Sequence, residues 1–327
     1  MKSSLYLHIN LKCICNVNLK PLSQMEIIEL QQVTKTFGSV TAVHRLDLKV
    51  PAGTVYGFIG PNGSGKTTTI RMIMNIFFPD QGTIYVHGKQ LMNSRLEHVG
   101  YLPEDRGLYK KMKVYDVLKF HGDLKNTKNI KAEIEYWLKK LDLYDRIDKK
   151  VETLSKGMTQ KLQFIATVID RPEIIILDEP FSGLDPVNAE ILKESLLELQ
   201  KNGATIIFST HDMNMAEKMC DYIFMIHNGE KVLDGTLQSI QDKYGNDTVR
   251  LQTESGISAL KGIPGIEKLN DFGQVQELRL SPGTETQSIL AAVMKETRIL
   301  KFEVTKPSLN DIFIRIAAPE RKEENHA

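Results

Sequence analysis

The segment GPNGSGKTT at residues 60–68 constrains the fold of this 327-residue chain more than any other feature. Its glycines let successive backbone N–H groups turn toward one point, which suits the oxygens of a phosphate group. A loop of this kind needs a strand before it and a helix after it, and the runs Val55–Gly60 and Thr67–Phe77 predict both. The segment therefore predicts an α/β chain that binds a nucleoside triphosphate.

We expect the whole loop to form the phosphate site. The Lys66 ammonium is expected to reach the β and γ phosphates, and the Thr67 hydroxyl to bind Mg²⁺. The other expected binding residues are Gly60, Pro61, Asn62, Gly63, Ser64, Gly65 and Thr68. An ordinary glycine-rich turn is the alternative, but a chance match in a chain of this length is roughly a one-in-a-hundred event.

Two carboxylates follow an apolar run further along the chain. Ile174–Leu177 predicts a buried strand, and Asp178 and Glu179 come directly after it. Because α/β proteins bind ligands at the carboxyl ends of their strands, we expect both carboxylates beside the phosphate loop. Asp178 is then a magnesium ligand, and Glu179 can polarise a water for attack on the γ phosphate. The pair predicts hydrolysis as well as binding.

The remaining pattern alternates strands with helices, which predicts a mostly parallel sheet, covered on both faces and flanked by an antiparallel edge. Residues 113–170 read as a helical insertion, because Ile134, Trp137 and Leu138 recur at helical spacing. The Asn228-Gly229 step predicts a hairpin turn.

The predicted domains are a loose extension at 1–24, a nucleotide-binding domain at 25–244, a small α+β domain at 245–318 and a disordered tail at 319–327.

Composition excludes several classes of protein. Lys and Arg total 42 against 41 for Asp and Glu, so no global field attracts nucleic acid or an anionic membrane. Cys13, Cys15 and Cys220 offer neither a disulfide framework nor the four ligands of a structural zinc site. No apolar run approaches the roughly 18 residues that would cross a bilayer. His8 and Lys12 interrupt the stretch that a signal peptide would need.

Between the loop and the acidic pair, Leu154–Gln160 (LSKGMTQ) opens a predicted helix and resembles the signature motif of ATP-binding cassette (ABC) proteins. Ser155 alone could be a simple helix N-cap. In the family this helix start grips the γ phosphate bound to a second subunit, which implies that Ser155 and Gly157 bind ATP across a dimer. The usual form has glycine at Lys156 and glutamine at Met158.

Further matches follow the order of the family's motifs. Ser182–Asp185 fits the loop that couples two cassettes, and His211 fits the switch histidine near the γ phosphate. Phe37 fits the aromatic on which adenine stacks. Glu104 stands where the family has the glutamine that contacts the metal. The alternatives are a structural role for His211 and a core position for Phe37.

The resemblance covers residues 26–240, and residues 245–318, ending in Lys306–Phe313, are similar to an extra domain on sodium and drug exporter ATPases. It implies a P-loop NTPase fold with a mostly parallel core sheet, an antiparallel edge sheet, a helical insertion and a small C-terminal α+β domain. It also implies an ATPase that uses ATP and Mg²⁺, closes as a homodimer or paired cassette, and drives a separate multi-spanning permease. Such a subunit is peripheral on the cytoplasmic face of the membrane and binds no nucleic acid.

Three other interpretations are weaker. A soluble, non-transport ABC ATPase acting on ribosomes or DNA would favour two cassettes in one chain and a basic surface. A phosphate-loop kinase or GTPase would leave the signature motif unexplained, and no Asn-Lys-x-Asp guanine motif is present. A regulatory binder without turnover would not need the Asp178-Glu179 pair. The cargo stays open among sodium, drugs, peptides and lipids, because the translocation path belongs to another polypeptide.

Overall fold

The computed structural model describes residues 26–317 except 94, 95, 106 and 246, so the expected extension 1–24 and the tail 319–327 lie outside the described residues. The strands are β1 (Glu26–Phe37), β2 (Val40–Pro51), β3 (Val55–Ile59), β4 (Gln81–Val86), β5 (Lys89–Gln90), β6 (Val99–Leu102), β7 (Ile174–Asp178), β8 (Thr205–Thr210), β9 (Tyr222–His227), β10 (Glu230–Gly235), β11 (Thr248–Thr253), β12 (Ile266–Asp271), β13 (Gln276–Leu280) and β14 (Ile299–Thr305). The helices are α1 (Lys66–Ile73), α2 (Val114–Leu124), α3 (Ile130–Lys140), α4 (Lys156–Val168), α5 (Pro186–Lys201), α6 (Met213–Met219), α7 (Leu237–Tyr244), α8 (Thr286–Glu296) and α9 (Leu309–Ala317). Short 3₁₀ turns lie at Leu91–Asn93, Tyr144–Arg146, Val151–Thr153 and Gly256–Ala259.

The core sheet has the order β10-β9-β3-β8-β7-β6. Its neighbours run parallel except for β10, which pairs antiparallel with β9 at one edge. Every residue of β3, β7 and β8 is buried, because helices or a second sheet cover both faces. A separate antiparallel sheet has the order β2-β1-β4-β5. The predicted fold class is confirmed.

The helix after the phosphate loop is shorter than predicted. It was expected to run to Phe77, but α1 ends at Ile73. Asn75 adopts the left-handed conformation with φ of 57°, and the N–H groups of Ile76 and Phe77 both donate to the Arg71 carbonyl. This cap closes the helix because asparagine tolerates positive φ better than most residues.

The helical residues 113–170 contain α2, α3 and α4, which pack around Trp137. The Trp137 and Phe164 rings meet edge to face with centroids 5.9 Å apart. Ile134 and Leu138 are buried in the same cluster, as their helical spacing predicts.

The small C-terminal sheet has the order β12-β13-β11-β14, with all neighbours antiparallel. One face carries the buried residues Val249, Leu251, Leu278, Ile289 and Val293, the last two from α8.

Helix α9 extends away from this small core. Its Leu309 and Ile312 are buried together with Met213 and Ala216 of α6. Its Arg315 donates two hydrogen bonds, of 2.9 and 3.1 Å, to Asp247 just before β11. Helix α9 therefore connects the start of β11 to α6. Among the described residues, no helix has the length and apolar character needed to cross a membrane.

Candidate functional site

The phosphate loop needs glycine at two positions because the backbone of the neighbouring strands approaches it closely. Gly60 has φ of 150°, and a Cβ there would lie 2.3 Å from the Ile226 carbonyl oxygen. Gly65 has φ of 111°, and its Cβ would lie 2.5 Å from the Ala42 carbonyl oxygen. Both positions combine a positive φ with a steric block, so a side chain there would push the loop out of place.

The Lys66 side chain lies inside the loop. Its Nζ donates to the carbonyl oxygens of Gly60, at 2.7 Å, and Pro61, at 3.0 Å. Burial lowers the pKa of Lys66, and the negative charges of Glu179 and Asp178 oppose that shift. The loop thus holds a buried ammonium between its own carbonyls and two carboxylates.

The structure brings most of the predicted residues into one cavity of about 360 Å³. The cavity is lined by Ala42, Asn62, Gly63, Gly65, Lys66, Thr67, Thr68, Glu104, Asp178 and Glu179. The other loop residues, Gly60, Pro61 and Ser64, do not line the cavity, and Gly60 and Ser64 are buried. The backbone amides at the start of α1 and the Lys66 charge favour a phosphate here.

Ser209 organises the two carboxylates, and its role had not been predicted. Strands β7 and β8 are neighbours, and their register sets Asp178 opposite Ser209. The Ser209 hydroxyl donates to Asp178 Oδ1, and the Glu179 N–H donates to the Ser209 hydroxyl at 3.0 Å. The sequence could have indicated this role, because Ser209 is a polar residue near the carboxyl end of β8, the strand beside β7 in the sheet.

Glu179 has a strained backbone, with φ of 51°. Such a conformation costs about 1 kcal/mol or more in a non-glycine residue, and it accumulates at functional sites. Its Oε1 lies 2.9 Å from His211 Nδ1, and the His211 side chain is 61% exposed against 12% for Glu179. His211 therefore contacts the second carboxylate directly while remaining open to solvent.

One oxygen of the Asp178 carboxylate is available to bind a ligand. Its Oδ2 is buried and has no hydrogen-bond partner in the structure. The hydroxyl-bearing Thr67 and the exposed Glu104 line the same cavity. These oxygen donors suit Mg²⁺, which is held in nucleotide sites by a few protein oxygens together with phosphate and water. Among the described residues, no group of three or more His, Cys, Asp or Glu forms a metal site by itself.

The predicted signature residues do not line this cavity. Ser155 is exposed and caps α4, its hydroxyl accepting from the Met158 N–H at 3.2 Å. A Cβ on Gly157 would touch only Leu184, at 3.6 Å. The Lys156 side chain lies over Gly183, whose Cβ would be 3.1 Å from Lys156 Nζ. The start of α4 is thus an open surface.

The signature helix is nevertheless tied to the acidic pair. The Gln160 side-chain amide donates to the carbonyl oxygen of Pro180, the residue after Glu179. Asp185 caps the N-terminus of α5, its carboxylate accepting from the N–H groups of Val187 and Asn188. A movement of α4 would therefore displace Pro180, the residue next to Glu179.

Phe37 ends β1 and is 44% exposed, so it is not a core side chain. Its ring meets Phe77 edge to face at 5.4 Å, and the Lys35 ammonium lies 5.3 Å from its centroid. Phe37 does not line the phosphate cavity, but β2 begins three residues later and supplies Ala42 to that cavity. An exposed ring at this position can stack against a base.

Two protein families match the chain. The family described as ABC transporter matches residues 43–182, which include the phosphate loop and the acidic pair. The C-terminal domain of ATP-binding proteins like DrrA1-3 matches residues 235–317.

Individual proteins are also similar to this chain. The ABC transporter ATP-binding protein YhaQ of Bacillus subtilis is 40% identical over 290 residues, covering 88% of this chain and 97% of YhaQ. The Nod factor export ATP-binding protein I of Cupriavidus pinatubonensis is 28% identical over 305 residues, covering 91% and 92%. A solved ATP-binding subunit of an ABC transporter superposes with a TM-score of 0.64 at 28% identity, covering 67% of this chain and 93% of that one.

Proposed function

The chain belongs to the ATP-binding proteins of ABC transporters and is an ABC transporter ATPase, and we propose that it powers an exporter through ATP-driven closure of two cassettes. The observation that carries this proposal is the position of Glu179. Its carboxylate lines the same cavity as Lys66 and Thr67, on a strained backbone and in contact with His211.

Each residue of the site has a task that its environment supports. Lys66 and the loop amides bind the β and γ phosphates. Glu179 accepts a proton from the attacking water, and His211 holds that carboxylate in place through the 2.9 Å contact. Ser209 fixes the relative orientation of Asp178 and Glu179.

Thr67, Asp178 and Glu104 would hold Mg²⁺, which neutralises charge on the β and γ phosphates when it is bound. Phe37 would stack on the adenine ring.

The open start of α4 supports closure between two copies. Ser155 and Gly157 are accessible and lie outside the cavity of their own chain. A second copy could therefore offer its α4 start to the γ phosphate, using the Ser155 hydroxyl and the backbone amides of the helix N-terminus. Loss of the γ phosphate would remove that contact and let the pair open.

Two observations support export through a membrane partner. The Nod factor relative is named for export, and its similarity covers 91% of this chain, so it extends into the C-terminal residues. The helical residues 113–170 and the loop before them expose large apolar side chains, namely Tyr109, Phe120 and Leu124, which suit docking of a separate multi-spanning permease on the cytoplasmic face of the membrane.

The same proposal assigns the domains. Residues 25–244 form the nucleotide-binding domain, residues 113–170 its helical subdomain, and residues 245–318 the accessory domain.

The test is Glu179→Gln, which keeps the size of the side chain and removes its basicity. We expect ATP binding to remain, turnover to fall on the order of 10³-fold, and a closed dimer to accumulate with ATP and magnesium. Glu173→Gln, at an exposed carboxylate before β7, is the matched control and should leave turnover unchanged.

Unchanged hydrolysis in Glu179→Gln would remove Glu179 from its role. Co-purification from membranes with a multi-spanning protein supports the exporter assignment, and co-purification with ribosomes contradicts it.

A further inference from the structure

The small C-terminal sheet has an open edge. Strand β14 is the last in the order β12-β13-β11-β14, and among the described residues no strand pairs with its outer side. Its Leu300 is 55% exposed and its Val304 is 47% exposed. From Lys301 to Thr305 the strand keeps a regular register with β11, and an irregularity at Leu300 precedes this stretch. A regular strand edge with exposed apolar side chains is a template for pairing with another strand.

The apolar side chains of this edge continue the core of the small domain. The register of the sheet sets Phe302 opposite Leu251 and Val304 opposite Val249. Leu251 and Val249 are fully buried, and Phe302 packs against the same cluster. The core therefore reaches the edge strand and ends there without a cover.

The opposite face of the sheet carries alternating charges. Arg250 lies opposite Glu277 of β13 on one side and Glu303 of β14 on the other. Arg250 Nε donates to Glu277 at 2.7 Å, and Glu303 pairs with Lys301 two residues back in its own strand, also at 2.7 Å. The row of charges across three strands thus ends on a carboxylate at the open edge.

We propose that β14 pairs antiparallel with β14 of a second copy of this chain, about a two-fold axis that passes through Phe302. In this register Lys301 faces Glu303 of the second copy, and Leu300 faces its Val304. The charge row then continues across the axis with alternating sign, and the apolar row becomes continuous on the other face. The two four-stranded sheets become one sheet of eight.

The side chains of β14 favour this partner over an unrelated strand. Edge strands are normally protected by charges that repel a second copy. Here the positions of Lys301 and Glu303 on either side of Phe302 make the edge self-complementary, so its charges attract the same sequence running in the opposite direction.

This contact is independent of the proposed cassette closure, because it uses neither the phosphate loop nor α4 and requires no ATP. The two contacts can therefore be separated by experiment.

The test uses the full chain without nucleotide, followed by sedimentation equilibrium. Lys301→Glu and Glu303→Lys each place like charges opposite each other twice in a homodimer, and each should weaken self-association on the order of tenfold. An equal mixture of the two variants should recover association, because only the mixed dimer has opposite charges at both positions.

Lys295→Glu, on the exposed side of α8, makes the same charge change away from the edge and should have no effect. A wild-type chain that associates only with ATP overturns the proposal, as does a mixture no stronger than either variant alone.

Discussion

The N-termini of α1 and α4 both carry glycine and a hydroxyl residue, but their surroundings differ. In the loop before α1, Gly60, Ser64 and Gly65 are buried, and the Lys66 ammonium donates to carbonyls of the same loop. At the start of α4, Ser155 is exposed and Gly157 is half-buried, and both lie outside the cavity that the loop forms. Under the proposed closure, the helix N-terminus of α1 binds phosphate within its own molecule, whereas that of α4 completes the site of a second molecule.

The contrast is visible in what surrounds each glycine. A Cβ on Gly60 would overlap the Ile226 carbonyl, whereas a Cβ on Gly157 would make an ordinary contact with Leu184. The first glycine is required for the chain to fold around a phosphate. The second glycine leaves room on the surface for the phosphate that a second copy would bring under the proposed closure.

The largest effect should come from substituting these two glycines. Gly60→Ala should weaken ATP binding at least on the order of a hundredfold, because the loop must shift away from the Ile226 carbonyl. Gly157→Ala should leave ATP binding to the isolated chain unchanged and raise helix stability by up to about 1 kcal/mol, yet reduce turnover. Calorimetric ATP titration, thermal melting and steady-state hydrolysis measure the three effects.

Gly63→Ala is the control inside the loop. Gly63 has φ of 77°, so alanine is strained there, but nothing lies within 4 Å of its Cβ. Its effect on binding should be clearly smaller than that of Gly60→Ala. Equal losses at the two positions would mean that backbone conformation, and not the close approach of β9, decides the site.

Mixing two inactive variants gives the next largest effect. Lys66→Ala disables the loop and Ser155→Ala disables the start of α4, so each variant alone should hydrolyse ATP very slowly. In a mixed dimer one site has both defects and the other has neither, so an equal mixture should recover up to roughly a quarter of wild-type turnover. Steady-state hydrolysis against the mixing ratio measures this.

A mixture that stays as slow as its components would place both helix starts in one site of a single chain. The control is a mixture of Lys66→Ala with Glu179→Gln, whose defects lie on the same side of the site. The mixed dimer then has one defect in each site, so no recovery is expected.

Much of the cassette could be predicted because its signals are local. The buried strand β7 is a short apolar run, the Asn228-Gly229 turn joins β9 and β10, and the loop dictates the strand and helix around it. Helix α7 and strand β12 were not predicted. The six residues of β12 are all at least partly exposed, so its sequence carries little of the alternation that marks a half-buried strand.

The position of α9 could not be predicted for a different reason. Its amphipathic pattern predicts a helix at 309–316, but not which surface that helix covers. Leu309 and Ile312 pack on α6, which starts two residues after His211. Contacts between elements so distant in sequence leave no local pattern, whereas motif spacing indicated which residues would meet in the phosphate cavity.

A smaller effect should come from Ser209, whose side chain joins the acidic pair. Ser209→Ala removes the hydroxyl that donates to Asp178 and accepts from the Glu179 N–H. We expect turnover to fall about tenfold with little change in ATP affinity, since one buried hydrogen-bonding group contributes about 1 to 3 kcal/mol. The magnesium concentration for half-maximal turnover should rise, because Asp178 loses its orientation.

Ser195→Ala is the matched control. Ser195 is also fully buried, but its hydroxyl donates to the Ile191 carbonyl within α5. The substitution should lower thermal stability slightly and leave the magnesium dependence as it was. If Ser209→Ala behaves in the same way, Ser209 only stabilises the fold.

The smallest effect concerns Lys156, which stands where the usual signature motif has glycine. Its side chain lies over Gly183, in the segment between Glu179 and α5, and away from the phosphate cavity. Lys156→Gly should therefore change turnover no more than about threefold, because the Ser155 hydroxyl and the helix N-terminus remain. Lys156→Met keeps the length without the charge and separates the two contributions. If glycine and methionine both abolish hydrolysis, the Lys156 ammonium binds phosphate across the dimer, and the second helix start would resemble the first more closely than its exposed position indicates.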